Sequence, residues 1–338
     1  MPTTLKFHPK AFSLAMLLAA HGWRKRSLSG SGAVGAFLVG YLHLANDNPV
    51  FGVGLISFYA LGTLATKYKA HLKAQLEESP YPTSSSGLRT ASQVLSNSIP
   101  SLLCSLVYRF TLTEERLGRV VGWVGMRGFV SGVTSASAGS GSGSGWEVWG
   151  KGLVLGALGH LATCLGDTLS SELGILSPTR PILLTTLRPV PPGTNGAISL
   201  LGTTVSLIGG AGLGALFWAL DGRTRSGLQE SWSKWMVLGG VAGLGGSLLD
   251  SVLGSTLQRT LYNTESRRIL LHNPTTGVAK QKNKEKKTTK EQVKEEVEET
   301  TSLEVIAGWD VLTNNQVNFI SSATVSGVMA WMAWTGVV

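Results

Sequence analysis

Apolar residues gather into segments at about 11–22, 31–47, 50–66, 93–109, 150–165, 196–220, 235–257 and 317–336. Several approach the roughly 20 residues that a helix needs to cross the hydrocarbon core of a bilayer. The first is short and follows Lys6 and Lys10, a profile shared with signal-peptide cores. No small-residue cleavage site follows it, and "WRKRS" (23–27) reads as a cytosolic flank, so it reads as a retained helix. Segment 117–133, "LGRVVGWVGMRGFVSGV", carries Arg119 and Arg127. A central arginine costs about 2.5–3.5 kcal/mol on insertion scales, and this segment reads as non-crossing. The pattern predicts an all-α, polytopic helix bundle in one membrane domain over 1–338. It has about eight transmembrane helices, with broken or re-entrant segments and both termini away from the cytosol.

Two stretches break the pattern. Residues 134–146 form a Gly/Ser-rich linker around "SASAGSGSGSG", and 279–304 form a charged low-complexity loop around "KQKNKEKKTTKEQVKEEVEE". "GWEVWGKG" (145–152) nearly spells a phosphate-binding loop. The Ser or Thr after Lys151 is missing and no parallel-sheet pattern surrounds it, so a nucleotide loop is not expected there.

Charge fixes the expected sidedness. Arg24–Arg26 follow the first span, and Lys67, Lys69 and Lys73 follow the third, on the same side. The positive-inside rule makes that side cytosolic. If 117–133 does not cross, "GDTLSSELG" (166–174), Arg180, Arg188 and the basic loop after 257 share it.

Polar stretches sit at the ends of these segments. In a continued helix, Asp167, Ser170, Ser171 and Gly174 share a face, and Glu172 points elsewhere. In "RPILLTTLRPVPPGTNGAIS" (180–199), Pro189, Pro191 and Pro192 break any helix. "GTNGAIS" is then expected to open a new one, capped by Thr194 or Asn195. The free N–H groups around Gly193, Thr194, Asn195 and Gly196 would form an anion site. Ser247, Asp250, Ser251, Gly254, Ser255 and Gln258 form a polar stripe at helical spacing. Asn314, Asn315 and Asn318 enter the last span. Most such residues have structural roles. Gly239 and Gly243 suit helix packing, Ser and Thr bond their own backbone, and Asn caps helices. Asp167, Glu172 and Asp250 stand apart, because a carboxylate within a span is costly and marks function by default. Carboxylates with arginines and a helix start on one side suit a phosphate bound with a divalent cation.

Composition agrees with a membrane protein. Of 338 residues, 43% are hydrophobic and 14% charged, against about a quarter charged in soluble domains. Mean hydropathy is +0.18. Cys104 and Cys164 lie in apolar runs and suit buried free thiols. The net charge of +9 flanks apolar spans without forming a binding module, so nucleic acid is not the expected partner.

"SGSGAVGAFLVG" (29–40), "ATKYK" (65–69), "GDTLSSELG" (166–174), "PVPPGTNGAIS" (189–199), "GGSLLDSVLGSTLQ" (245–258) and "LTNNQVNFISS" (312–322) together resemble the transmembrane-protein-nineteen family of multi-pass membrane proteins, which includes the plant phytyl-phosphate kinase. Leu169 and Ser170 stand where that family has Trp-Ala, and Leu64 where it has a lysine. The resemblance implies a kinase acting on an isoprenoid, phytyl-like monophosphate, with a nucleoside triphosphate (CTP or ATP) as donor. On this reading Asp167, Glu172, Arg180 and Arg188 serve catalysis, and Gly193–Gly196 hold phosphate. Asp167 and Asp250 hold Mg²⁺. Ser171, Ser251, Gln258, Asn314, Asn315 and Asn318 complete the polar site. The partner is a membrane lipid or isoprenoid phosphate, and the oligomeric state stays open. No Arg/Ser-rich transit peptide precedes the first segment, and the endoplasmic reticulum is the expected compartment. Two alternatives stay open: a transporter of a lipid phosphate or ion, and a non-catalytic membrane protein whose carboxylates pair with arginines.

Overall fold

Capping residues decide where the apolar segments become helices. The computed structural model describes residues 7–78, 88–111, 145–221, 231–270 and 303–338. Helix α1 (Pro9–Arg24) carries its proline in the first turn, where no N–H is needed. Ser29 caps α2 (Gly30–Leu44), its Oγ accepting from the Gly32 N–H at 3.0 Å. Asn48 caps α3 (Pro49–Lys67) through Oδ1, which accepts from the Val50 N–H at 3.1 Å. A single turn, α4 (Ala70–Lys73), follows.

The 93–109 segment is not one helix. It divides into α5 (Ala91–Ser96) and α6 (Ile99–Thr111). Pro100 has no N–H to continue a ladder, and Ser98 Oγ turns back to the Val94 carbonyl at 2.7 Å. Then come α7 (Gly145–Gly174), α8 (Leu200–Leu220), α9 (Trp232–Leu257) and α10 (Asn314–Trp334). Among the described residues, α3, α7, α8 and α9 are long and apolar enough to cross a membrane, and α2 and α6 are shorter apolar helices. The count of about eight spans goes beyond those four. Segment 117–133 lies outside the described residues, as do most of 134–146 and 279–304. Gly145 and Trp146 belong to α7, so the near-miss phosphate loop is helix.

α7 is the hub. Its Leu155, Leu158, Leu161 and Leu165 are fully buried in the main core, with Phe51 from α3, Phe217 from α8 and Trp235 from α9. The outer helices turn Ile208, Val237, Val241 and Trp331 outward, as lipid-facing surfaces do. Glycines let backbones meet. A Cβ on Gly166 would lie 2.5 Å from the Gly243 carbonyl oxygen, and one on Gly243 would lie 2.7 Å from that of Ser206. A Cβ on Gly210 would collide with the Gly239 carbonyl. This is the packing role expected of Gly239 and Gly243.

Contacts also order the helix ends. Cys104 on α6 meets Gly156 on α7, and Tyr108, one turn on, joins the same core as Leu153. Ser322, Ser326 and Trp334 on α10 meet Cys164, Gly156 and Trp149 on α7. α6 and α10 are therefore antiparallel to α7, and the chain leaves α6 and enters α7 at one end of the bundle. The opposite end gathers the C-termini of α3, α7 and α9 with the N-termini of α8 and α10.

The all-α expectation needs correction at that second end, where short strands pair. β1 (Glu77–Glu78), β4 (Thr260–Asn263), β5 (Arg268–Leu270) and β6 (Leu303–Ala307) form a sheet in the order β1-β5-β4-β6. β1 runs parallel to β5, and the other pairs are antiparallel. β2 (Ile182–Leu183) and β3 (Ala197–Ile198) pair antiparallel. Leu183, Val190 and Ala307 form a small core between the two sheets. Backbone leaving a helix end needs partners, and strand pairing provides them. Residues 303 and 304, expected in the charged loop, belong to β6.

Two outcomes are expected. Gly210→Ala should destabilise by about 1–3 kcal/mol through overpacking, and Gly212→Ala, where a Cβ meets nothing within 4 Å, should not. Melting in detergent checks this. Cysteines placed at Gly141 and Thr288 should label from opposite faces of sealed vesicles.

Candidate functional site

The Gly166–Gly243 contact sets the site. α7 and α9 are both antiparallel to α8, so they run parallel to each other. Ser199 and Gly202 on α8 meet Gly174 and Ser170, and Gly210 and Gly214 meet Gly239 and Trp235. Asp167 directly follows Gly166, and Asp250 lies two turns beyond Gly243. The two carboxylates stand within electrostatic reach of each other. Asp250 is buried, and its Oδ2 accepts from Ser321 Oγ at 3.1 Å. With its amide nitrogen turned toward Asp250, Asn318 donates to the same Oδ2 and to the Asn314 carbonyl, each at 3.1 Å. Asp167 is half-buried. Cys164, a buried free thiol one turn below it, lies close to both carboxylates and to Ser322.

Glu172 does not join this pair. It points to another face, as its spacing implies, and takes Lys73 Nζ at 2.5 Å on Oε2 and Thr66 Oγ1 at 2.9 Å on Oε1. Lys73 also donates to the carbonyls of Ala65 and Thr66, at 3.0 and 2.7 Å. One ammonium thus closes the C-terminal turn of α3 and ties it to α7. As charge-assisted hydrogen bonds these are stronger than neutral ones.

The 193–196 loop is also corrected. It does not open a helix. Gly193 and Gly196 have positive φ, +89° and +73°, which directs the chain into β3 instead. The N-cap of α8 is Ser199, whose Oγ accepts from Gly202 N–H and donates to the Gly174 carbonyl, both at 3.1 Å. Asn195 N–H, expected to face an anion, donates to Thr260 Oγ1 at 3.2 Å, and Thr194 Oγ1 donates to the Pro191 carbonyl at 2.7 Å. Gly196 lies against the last turns of α9, where a Cβ would strike Ser251 and Ser255. The loop therefore packs on the helix that carries Asp250.

The remaining candidates separate. Arg180 and Arg188 are exposed on the loop that carries β2. Ser171 is exposed, and its hydroxyl returns to the Asp167 and Thr168 carbonyls at 3.0 and 3.2 Å, a purely local role. Gln258 is the buried C-cap of α9, with the Gly308 backbone against it. Asn315 reaches toward Ser92 Oγ at 3.5 Å. Sequence reasoning missed Ser321, Ser322, Cys164 and Thr66, and took Lys73 only as a topological charge. Ser321 had a signal, one turn after Asn318 on the same face.

Among the described residues, no group of three His, Cys, Asp or Glu converges as a metal cage. Asp167 with Asp250 is a different donor set: two hard carboxylates with a neighbouring amide and hydroxyl. It fits Mg²⁺, which takes one or two carboxylates and completes its shell with water and phosphate oxygens.

Residues 13–326 match the family described as integral membrane protein DUF92. The chain belongs to that family. This DUF92 chain is 31% identical over 315 residues to Protein PGR of Arabidopsis thaliana, covering 92% of the chain and 91% of its relative. It is 25% identical over 236 residues to uncharacterized membrane protein MJ0933 of Methanocaldococcus jannaschii, covering 70% and 77%. It is 34% identical over 113 residues to uncharacterized membrane protein sll0875 of Synechocystis, covering 33% and 40%. No solved structure matches. As a DUF92 member the chain is a multi-pass integral membrane protein.

The Lys73–Glu172–Thr66 cluster is expected to be structural. Lys73→Met should cost about 1.5–3 kcal/mol, the range for lost hydrogen bonds to a charged group. Lys73→Met with Glu172→Leu should cost less than the sum of the two single changes, as a double-mutant cycle of melting temperatures reads out.

Proposed function

We propose that this DUF92 chain is an isoprenoid-monophosphate kinase, the activity that its resemblance to the transmembrane-protein-nineteen family implies. The acceptor would be a phytyl-like monophosphate in the membrane, and CTP or ATP the donor. The products are the isoprenoid diphosphate and the nucleoside diphosphate. The observation that carries the reading is that Asp167 and Asp250, about eighty residues apart in sequence, stand within electrostatic reach of each other at the end of the bundle where the loops gather.

The chemistry asks little covalent work of the protein. Phosphoryl transfer depends on positioning and charge neutralisation, and the attacking oxygen belongs to the lipid phosphate, which is already ionised. Mg²⁺ would supply charge neutralisation between the phosphates. Asp167 and Asp250 would hold it, and Ser321 and Asn318 orient Asp250 for that purpose. Arg180 and Arg188, on an exposed loop, are free to close over the donor phosphates from the water side. Glu172 drops out of the catalytic set, since both its oxygens are engaged in joining α3 to α7. The 193–196 loop supports α9 and leaves phosphate contact to the arginines.

Eight passes in alternating direction, with α5 and α6 as one broken pass, agree with the ordered helix ends. Arg24, Arg26, Lys67, Lys69, Arg180, Arg188, Arg267 and Arg268 flank the site end, so the positive-inside rule gives it to the cytosol. The endoplasmic reticulum is the compartment we propose.

One observation favours a second reading, an ion or lipid-phosphate transporter. His160 and Cys164 lie below Asp167 on one face of α7, with the Cys164 Sγ 3.8 Å from His160 Nε2. His43 Nε2 pairs with Ser101 Oγ at 3.1 Å nearby. Buried ionisable groups in file serve relays in transporters.

Asp167→Asn separates these roles. In the kinase it should leave the melting temperature near that of the parent and lower turnover of phytyl monophosphate with CTP or ATP by about 10²–10³-fold. Full activity in the variant would remove Asp167 from the mechanism. A parent protein without turnover, but with substrate flux in proteoliposomes that the variant loses, would establish the transporter.

A further inference from the structure

A cavity lies between α1, α2, α3 and α5, away from the carboxylate pair. Its volume is about 100 Å³ with an open mouth, a narrow slot that suits one slender chain better than a bulky ligand. Its walls are apolar: Leu18, Ala36, Val39, Leu44, Leu55 and Phe58 among them. From Ala36 to Leu44 it follows α2 for about 12 Å at a helical rise of 1.5 Å per residue. Small residues, Ala15, Ala19, Ala36 and Gly40, leave the space empty.

One cation faces into this greasy slot. Arg89 lines it, with its guanidinium 5.7 Å from the centre of the Tyr59 ring. Its backbone is pinned on both sides. Arg89 N–H donates to the Ser27 carbonyl, and the Arg89 carbonyl accepts from Ser29 N–H, both at 3.0 Å. Among the described residues no carboxylate pairs with it. The guanidinium points toward the chemistry. A Cβ on Gly62 would lie 3.9 Å from Arg89 Nη2 and 3.4 Å from Thr168 Cγ2, so Arg89 and Thr168 approach the same glycine. Thr168 is the neighbour of Asp167. A guanidinium without a carboxylate partner suits a phosphate, and the apolar slot beside it suits a chain.

We propose that this cavity binds the hydrocarbon chain of a single-chain isoprenoid monophosphate, with Arg89 holding its phosphate beside Thr168 and Asp167. The identity of the guest as the phosphoryl acceptor rests on the kinase reading; the cavity and its cation do not. Arg89 is then a substrate-binding residue at the junction of an apolar slot and the carboxylate pair. The slot is built mainly by the N-terminal helices, and the carboxylates come from α7 and α9.

The probes are radiolabelled farnesyl monophosphate and farnesol, with binding to the full-length protein measured in detergent beside phosphoryl-transfer turnover. Arg89→Ala should weaken farnesyl monophosphate binding about 10- to 100-fold, the equivalent of lost charged hydrogen bonds, and leave farnesol binding unchanged. Arg89→Lys should retain most of the affinity. Ala36→Leu, which fills the slot, should weaken both probes, and unchanged melting temperatures confirm that each variant is folded. If Ala36→Leu misfolds, Ile56→Trp repeats the test from α3. Parental affinity for farnesyl monophosphate in both Arg89→Ala and a slot-filling variant overturns the proposal, whatever the turnover. So does a parent that binds neither probe, or an Arg89→Ala protein that loses farnesol equally. The predicted binding pattern without turnover for any nucleotide would uphold the cavity and dismiss the kinase.

Discussion

The close approach of three helix backbones around Gly166, Gly210 and Gly243 governs this molecule. In a membrane, apolar surface alone does not drive helices together, because lipid tails are equally apolar. Contact must come from packing, and α7, α8 and α9 pack by removing side chains where they cross. Carbonyl oxygens of Ser206, Gly239 and Gly243 occupy the space where a Cβ would stand. Once the helices are this close, carboxylates carried on their facing ends come within electrostatic reach of each other. Asp167 and Asp250 are those carboxylates. Their proximity is thus a product of glycine packing, and no attraction between like charges is needed.

The two kinds of acidic residue at this end behave differently, because their neighbours differ. Glu172 has an ammonium and a hydroxyl, and its surroundings complete it. Among the described residues Asp250 has neutral donors, Ser321 and Asn318, and stands within electrostatic reach of a second carboxylate. Neutral donors orient a carboxylate without cancelling its charge. A site arranged in this way has capacity left for a cation, whereas the Glu172 cluster has used its own. The buried amides and hydroxyls at the other end, where Asn48 donates to Tyr108 at 3.1 Å and to Asp221 at 3.0 Å, follow the Glu172 pattern of mutual satisfaction.

Helix positions were legible in the sequence because hydropathy records them directly, and all eight apolar segments contain helix in the structure. The break within 93–109 was written in Pro100, yet the apolar run around it hid the break. Short strands left no periodic trace, since two to five residues are too few to alternate. Asp250 and Asn318 stood out because a polar side chain inside a span is rare. Arg89 and Lys73 did not, because a basic residue beside a span reads first as a topological signal. Asn195 misled for a conformational reason. A Thr-Asn pair before an apolar run has the composition of a cap, but the glycines around it take positive φ, and the cap falls to Ser199.

The sheet at the site end gives the chain room to diverge. β5 and β6 both lie against β4, so residues 271–302 leave and return at neighbouring points of a fixed frame. Closing a longer connection between such anchors is cheap, about 0.6 kcal/mol for each doubling of length. Registers such as Tyr262 opposite Ile269 and Glu304 hold the frame independently of what is strung between the strands. A lineage of these proteins can therefore lengthen, shorten or recharge this excursion, acquiring new addresses or attachments there, while the membrane core keeps its shape.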